Sequence, residues 1–333
     1  MDRMDFVQGV TRTRVLEKKL LSRAQIDRMV DAKDIDEVFK ILGETEYSNG
    51  IASISRPEEY DNVLSSELQR VYKLMREISK DKVIVDLLTL KYDYHNLKVF
   101  IKEMALNQDL SSLYIPIGTV DFNKLKADYQ AGNYKFIDKK FKEAIDIVNK
   151  DYEDTKDPQR IDLVLDKLYF NHLYEMAKDT DVDLFIEYVE DLIDFTNLKT
   201  LIRLKKQGKD PKFVEDVLLP NGKIDKNDIV SSLNDSIDVI ISKFKNYRIS
   251  AGLKKGLESY QETNRLSDLE KYMDDYLMSL NKPSKNVVFG PEPLFSYLIA
   301  KETEIKVLRI IMVSKLNNLS PEAIRERLRD LYV

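Results

Sequence analysis

The chain of 333 residues has no cysteine and no tryptophan, and only two histidines. Without cysteine it can form no disulfide, no thiolate nucleophile, no iron–sulfur cluster on Cys ligands and no Cys-based zinc site, and it suits a reducing compartment. Glycine (10) and proline (9) are scarce, as suits long helices, which both residues break. No excess of positive charge exists: 53 Lys and Arg face 58 Asp and Glu, a net charge of −5, so the electrostatic footprint of a nucleic-acid binder is missing. No apolar run reaches the 18 or so residues of a membrane span. The best attempt, 287–300, is interrupted by Gly290, Pro291, Glu292 and Pro293, and the charged first 30 residues do not resemble a signal peptide. Neither Gly-rich phosphate loop, G-x-x-x-x-G-K-[ST] or G-x-G-x-x-G, is present, so no nucleotide site is expected.

What is present is a phrase written three times. Asn96-Leu97-Lys98-Val99-Phe100-Ile101 recurs as Asn197-Leu198-Lys199-Thr200-Leu201-Ile202, and more loosely as Glu304-Ile305-Lys306-Val307-Leu308-Arg309. An acid precedes each at nearly constant distance: Asp61, Asp162 and Glu270. A second phrase, Pro116-Ile117-Gly118-Thr119-Val120-Asp121, returns as Pro220-Asn221-Gly222-Lys223-Ile224-Asp225. Two phrases in nearly one phase imply three copies of a domain-sized unit, 1–115, 116–219 and 220–333. That period is too long for TPR or HEAT repeats, at roughly 30 to 47 residues.

Apolar spacing of three and four predicts helices near 10–22, 34–42, 57–79, 82–107, 122–130, 133–149, 158–178, 181–207, 225–247, 249–258, 264–281, 291–317 and 320–331. Residues 44–56 read as loop, with Gly43 as a C′ glycine. Asp121, Asp157-Pro158 and Ser320-Pro321 read as helix starts. No segment alternates with period two, so the fold class is all-α.

Asn96, Asn197 and Glu304 interrupt apolar runs. They could line a shared opening, or each could satisfy a backbone group and fix the register of packing; the second reading is favoured because repeated packing needs a similar residue in each unit. Lys98, Lys199 and Lys306 fall nearly opposite on the helix and read as snorkelling or solvated. The basic stretch Lys199, Arg203, Lys205, Lys206, Lys209, Lys212 reads either as an acidic-partner or headgroup contact or as a helix end dressed to suit its dipole. His95 and His172, in different copies, read as packed or surface residues. The acids Asp151, Glu153, Asp154 and Asp157 lack a calcium-loop frame. No catalytic, cofactor or metal site is expected.

The opening Thr11-Arg12-Thr13-Arg14-Val15-Leu16-Glu17-Lys18-Lys19-Leu20-Leu21, then Leu42-Gly43-Glu44-Thr45-Glu46-Tyr47, resemble the C subunit of the V/A-type rotary ATPases, whose vacuolar counterpart is the d subunit. So do Lys91-Tyr92-Asp93-Tyr94-His95-Asn96-Leu97-Lys98, Asp194-Phe195-Thr196-Asn197-Leu198-Lys199, Glu302-Thr303-Glu304-Ile305 and Pro321-Glu322-Ala323-Ile324-Arg325-Glu326-Arg327-Leu328. The resemblance implies a funnel of three pseudo-symmetric helical domains on the cytoplasmic face of a membrane. It implies a non-catalytic rotor part that joins central-shaft subunits D and F to the membrane rotor ring and passes torque. It implies no nucleotide, nucleic acid or cofactor. The alternative from the residues alone is a helical adaptor for soluble partners; a further one is an enzyme using surface carboxylates.

Overall fold

The computed structural model describes residues 1–132 and 138–333; among them there are helices and no strand. In chain order the helices are α1 (Val7–Glu17), α2 (Arg23–Asp31), α3 (Ile35–Leu42), α4 (Ser48–Ala52), α5 (Tyr60–Ile78), α6 (Val83–Leu106), α7 (Phe122–Gln130), α8 (Lys139–Thr155) and α9 (Pro158–Thr180). They continue as α10 (Asp183–Lys206), α11 (Pro211–Val217), α12 (Lys226–Ser231), α13 (Ile237–Lys243), α14 (Ser250–Thr263), α15 (Leu266–Asn281), α16 (Glu292–Leu316) and α17 (Pro321–Arg327). The chain forms two compact units: residues 1–85 with 235–333, and residues 86–234.

Local chemistry sets the helix ends. Asp34 accepts from the Glu37 amide, Asp157 from Gln159 ahead of Pro158, Asp210 from Phe213 ahead of Pro211, and Ser320 from Ala323 ahead of Pro321. Each satisfies a backbone donor that the first helical turn leaves free. With glycine scarce, other residues take the left-handed conformation: Asn107, Lys156, Asp181, Asn221, Asn264 and Asn318. Four of the six are Asn, the side chain that tolerates it best after glycine.

In the first unit, buried side chains of α2, α3, α5 and α16 share one core, with Ile26, Met29, Val38, Leu42, Val63, Val307, Leu308 and Ile311 fully enclosed. In the second unit, α9 packs beside α8 and α10, and Ile145, Leu165, Phe185, Ile193 and Phe195 are buried.

Several expectations are corrected. The opening helix ends at Glu17, and the separate α2 follows it, started by a Ser22–Gln25 capping box. Gly43 is right-handed (φ −60°), so it ends α3 without the left-handed turn. The loop at 44–56 contains α4. The helix expected at 225–247 is two, because Ser236 caps a fresh start at α13. The short α11 falls outside every expected helix. The helix expected at 133–149 runs 139–155; residues 133–137 lie outside the described residues.

Candidate functional site

The repeated asparagines each hold a peptide. On α6, the Asn96 Nδ2 donates to the Ile115 carbonyl (2.8 Å) and its Oδ1 accepts from the Ile115 amide (2.8 Å). On α10, Asn197 does the same with Leu219, at 3.1 and 2.8 Å. A primary amide offers one donor face and one acceptor face, so it pairs with a peptide unit as a neighbouring strand would. These groups are buried, where unmade hydrogen bonds are costly.

One helical turn earlier stands an acid. Asp93 accepts from the amides of Thr119 (3.0 Å) and Val120 (2.9 Å) and from the Thr119 hydroxyl (3.0 Å). Asp194 accepts from the amides of Lys223 and Ile224, both at 3.1 Å. The second repeated phrase now has a physical reading. A Cβ on Gly118 would lie 2.0 Å from the Asp93 carboxylate, and one on Gly222 would lie 2.2 Å from that of Asp194. Only glycine lets the strap come so close. The phrase's last residue then caps the next helix: Asp121 for α7, Asp225 for α12. Burial raises the Asp93 carboxyl above its usual range against the pull of these amides. Burial likewise pushes Asp194 up to about 6, with the neighbouring Asp191 and Glu190 adding to the effect.

On α16 the corresponding positions are Lys301 and Glu304, and the chemistry changes. Glu304 Oε2 accepts from the Leu21 amide (2.6 Å); Oε1 accepts from the Tyr47 hydroxyl (2.7 Å) and from Lys301 Nζ (2.7 Å). Lys301 Nζ lies 3.3 Å from Glu67 and 5.1 Å from the centre of the Tyr47 ring. Glu67 in turn accepts two bonds from Arg70, at 2.7 and 2.9 Å. Lys301, Glu304 and Glu67 are at most 4% exposed. Burial, then the adjacent Glu304 carboxylate, raises the Tyr47 hydroxyl well above its ordinary value.

The sequence of the chain matches the family described as ATP synthase (C/AC39) subunit over residues 9–327. The chain belongs to the ATP synthase (C/AC39) subunit family. It is 27% identical over 318 residues to the C subunit of the V-type sodium ATPase of Enterococcus hirae, covering 95% of each chain. It is 25% identical over 346 residues to the C subunit of the A-type ATP synthase of Methanocaldococcus jannaschii, covering 96% of this chain and 85% of that one. The C subunit of the A-type ATP synthase of Archaeoglobus fulgidus is 22% identical over 335 residues, with 96% and 94% covered.

In this member of the C/AC39 family the other singled-out residues lie apart from the clasps. Lys98 pairs with Asp166 (2.6 Å), and Lys306 reaches both oxygens of Asp274 (2.9 Å). Lys199, half-buried on α10, is not without a partner. His95 is exposed, with Nε2 3.0 Å from the Leu113 carbonyl. His172 packs against Tyr94 and Phe141, and burial, then Lys140, lowers it to about 4, so it is neutral at pH 7. Among the described residues no group of three His, Asp or Glu could hold a metal. In the basic stretch, Lys205 donates to the Leu233 carbonyl (2.8 Å), while Arg203 and Lys209 line a polar cleft with Gln159, Gln207 and Phe213.

The acids and the lysine one turn before the signature residues, and Leu21, Tyr47 and Glu67, were not singled out from sequence. A constant offset of three residues from Asn96, Asn197 and Glu304 connects Asp93, Asp194 and Lys301; no such offset marks Leu21, Tyr47 or Glu67.

Proposed function

We propose that this chain is the non-catalytic rotor subunit of a V/A-type ATPase, a socket joining central-shaft subunits D and F to the membrane rotor ring and passing torque for ATP-coupled proton or sodium transport. The observation that carries this reading is the family match over residues 9–327, together with relatives named as C subunits along nearly their whole length. In this reading the chain is peripheral, on the cytoplasmic face. No helix among the described residues is long and apolar enough to cross a membrane, which is compatible with that placement. The three domains are 1–115, 116–219 and 220–333, and Asn96, Asn197 and Glu304 act structurally, the first two fixing the backbone at the ends of the first two domains and Glu304 fixing it at Leu21. A torque-bearing part must be stiff, and long helices whose connecting straps are bonded at a buried side chain suit that task.

The test is a deletion strain. Its membranes should lose ATP-driven ion uptake while the soluble head retains ATP hydrolysis, and the chain restored on a plasmid should bring uptake back. A normal uptake rate in the deletion would contradict the coupling role. Capture of soluble proteins only, with no ATPase subunit, from detergent-solubilised membranes would favour the adaptor reading.

A further inference from the structure

The first unit contains a helix held at both ends by another. The short α2 starts just after Leu21, whose amide is bonded to Glu304 of α16 (2.6 Å). It ends at Asp31, and Lys315 of α16 donates to the carbonyls of Val30 (2.7 Å) and Ala32. Both grips are buried: Glu304 is 2% exposed and Lys315 9%. Nine residues of helix span ~13.5 Å, and the eleven steps from Glu304 to Lys315 span ~16 Å, so acid and base are spaced to meet the two ends of α2. Their signs also match. The N-terminal end of a helix carries partial positive charge and the C-terminal end partial negative charge, and the acid meets the first, the base the second. Arg325 of α17 adds an ion pair to Asp31 (2.5 Å).

The segment just before α2 is stitched to the same part of the chain. Arg14 donates to the carbonyls of Ser284 (2.8 Å) and Val287 (2.7 Å), and Tyr332 donates to Glu17 (3.2 Å). Asp61, at the head of α5, pairs with Arg309 of α16 (3.0 Å).

We propose that residues 18–32 are a latch that closes the chain on itself, binding its beginning to its last long helix, with Glu304 and Lys315 as the two grips. Asn96 and Asn197 hold the backbone that follows them in the chain. Glu304 instead holds backbone that precedes it in the chain, the Leu21 amide. The latch can open from either end without disturbing the clasps of the second unit, because its grips belong to the first unit alone.

Hydrogen exchange of the full chain, read by peptide mass spectrometry, tests this. The double variant Lys301→Met/Glu304→Leu removes one charge of each sign and leaves Glu67 with Arg70. Exchange over 18–25 should accelerate by at least about tenfold, with 112–119 and 216–222 unchanged. Lys315→Met should accelerate 29–35 before 18–25. If the double variant does not fold, Tyr47→Phe, which removes one bond to Glu304 and no charge, should still accelerate 18–25 by a smaller factor. Unchanged exchange at 18–25 in a folded variant, or equal acceleration of all the segments, would overturn the latch.

Discussion

On α10, an acid and an amide one turn apart hold a stretch of loop from Leu219 to Ile224; on α16 the same two positions carry a base and an acid and hold a single amide, that of Leu21. The helices are alike in length, 24 and 25 residues. What differs is the backbone that reaches them. The strap past Leu219 turns two amides toward Asp194, and they satisfy its carboxylate. The segment past Leu21 turns at once into α2 through the Ser22 cap, instead of continuing as a strap like that from Leu219 to Ile224. An acid there would be buried against the carboxylates of Glu304 and Glu67, at a cost of several kcal/mol. A lysine there gives Glu304 and Glu67 a shared counter-charge. The side-chain pair thus follows the incoming backbone.

That comparison can be broken at Lys301. Replacing it alone, Lys301→Met, leaves two buried carboxylates without their shared cation and should lower stability by about 3–5 kcal/mol in urea unfolding, while Lys301→Met/Glu304→Leu should recover part of the loss. A single variant within about 1 kcal/mol of wild type would mean that the charges are unimportant to the cluster.

The acid clasp can be sharpened by pH. The folded-state carboxyl of Asp194 lies near 6, above its ordinary 3.8. A raised carboxyl contributes stability in full below pH 3.8, and that contribution fades as pH rises through 6, by roughly 3 kcal/mol at most. His172, lowered to about 4, acts with the opposite sign in the same window: its contribution is lost as pH falls. The comparison of wild type with Asp194→Asn cancels the histidine. The variant should gain on wild type from pH 4 to 6 and level off above that, whatever constant offset its altered hydrogen bonds add. A difference that stays flat across that window would remove the burial argument for Asp194.

The glycine requirement gives a smaller effect. Gly222→Ala sets a methyl 2.2 Å from the Asp194 carboxylate and should cost on the order of 2 kcal/mol. The cost should shrink in an Asp194→Ala background, because the obstructing group is gone. Gly208→Ala, with open space around it but φ +64°, should cost about 1 kcal/mol and show no such coupling.

Much of this was legible in the residues. Proline after Asp157 or Ser320 marks a helix start wherever it occurs, since proline costs nothing at the first helical position. Asn96 and Asn197 stood out because an amide in an apolar run needs a partner. The short α2 escaped, because Ile26, Met29 and Val30 make too brief an apolar pattern to read as a helix between 10–22 and 34–42. The acids one turn before the asparagines escaped for a different reason. Asp93 and Asp194 align with Lys301, and no pattern of like residues connects a carboxylate to an ammonium. The partner of Glu304 could not be read locally at all, since Leu21 lies 283 residues away along the chain.

The most direct test transplants one clasp onto the other helix. The variant Lys301→Asp/Glu304→Asn gives α16 the same acid and amide that work on α6 and α10. If the incoming backbone dictates the pair, urea unfolding of the full chain should show it destabilised by about 3 kcal/mol or more, because the new carboxylate finds no strap amides and the amide takes the place of a carboxylate that served Leu21, Tyr47 and Lys301 together. Wild-type stability in that variant would contradict the account.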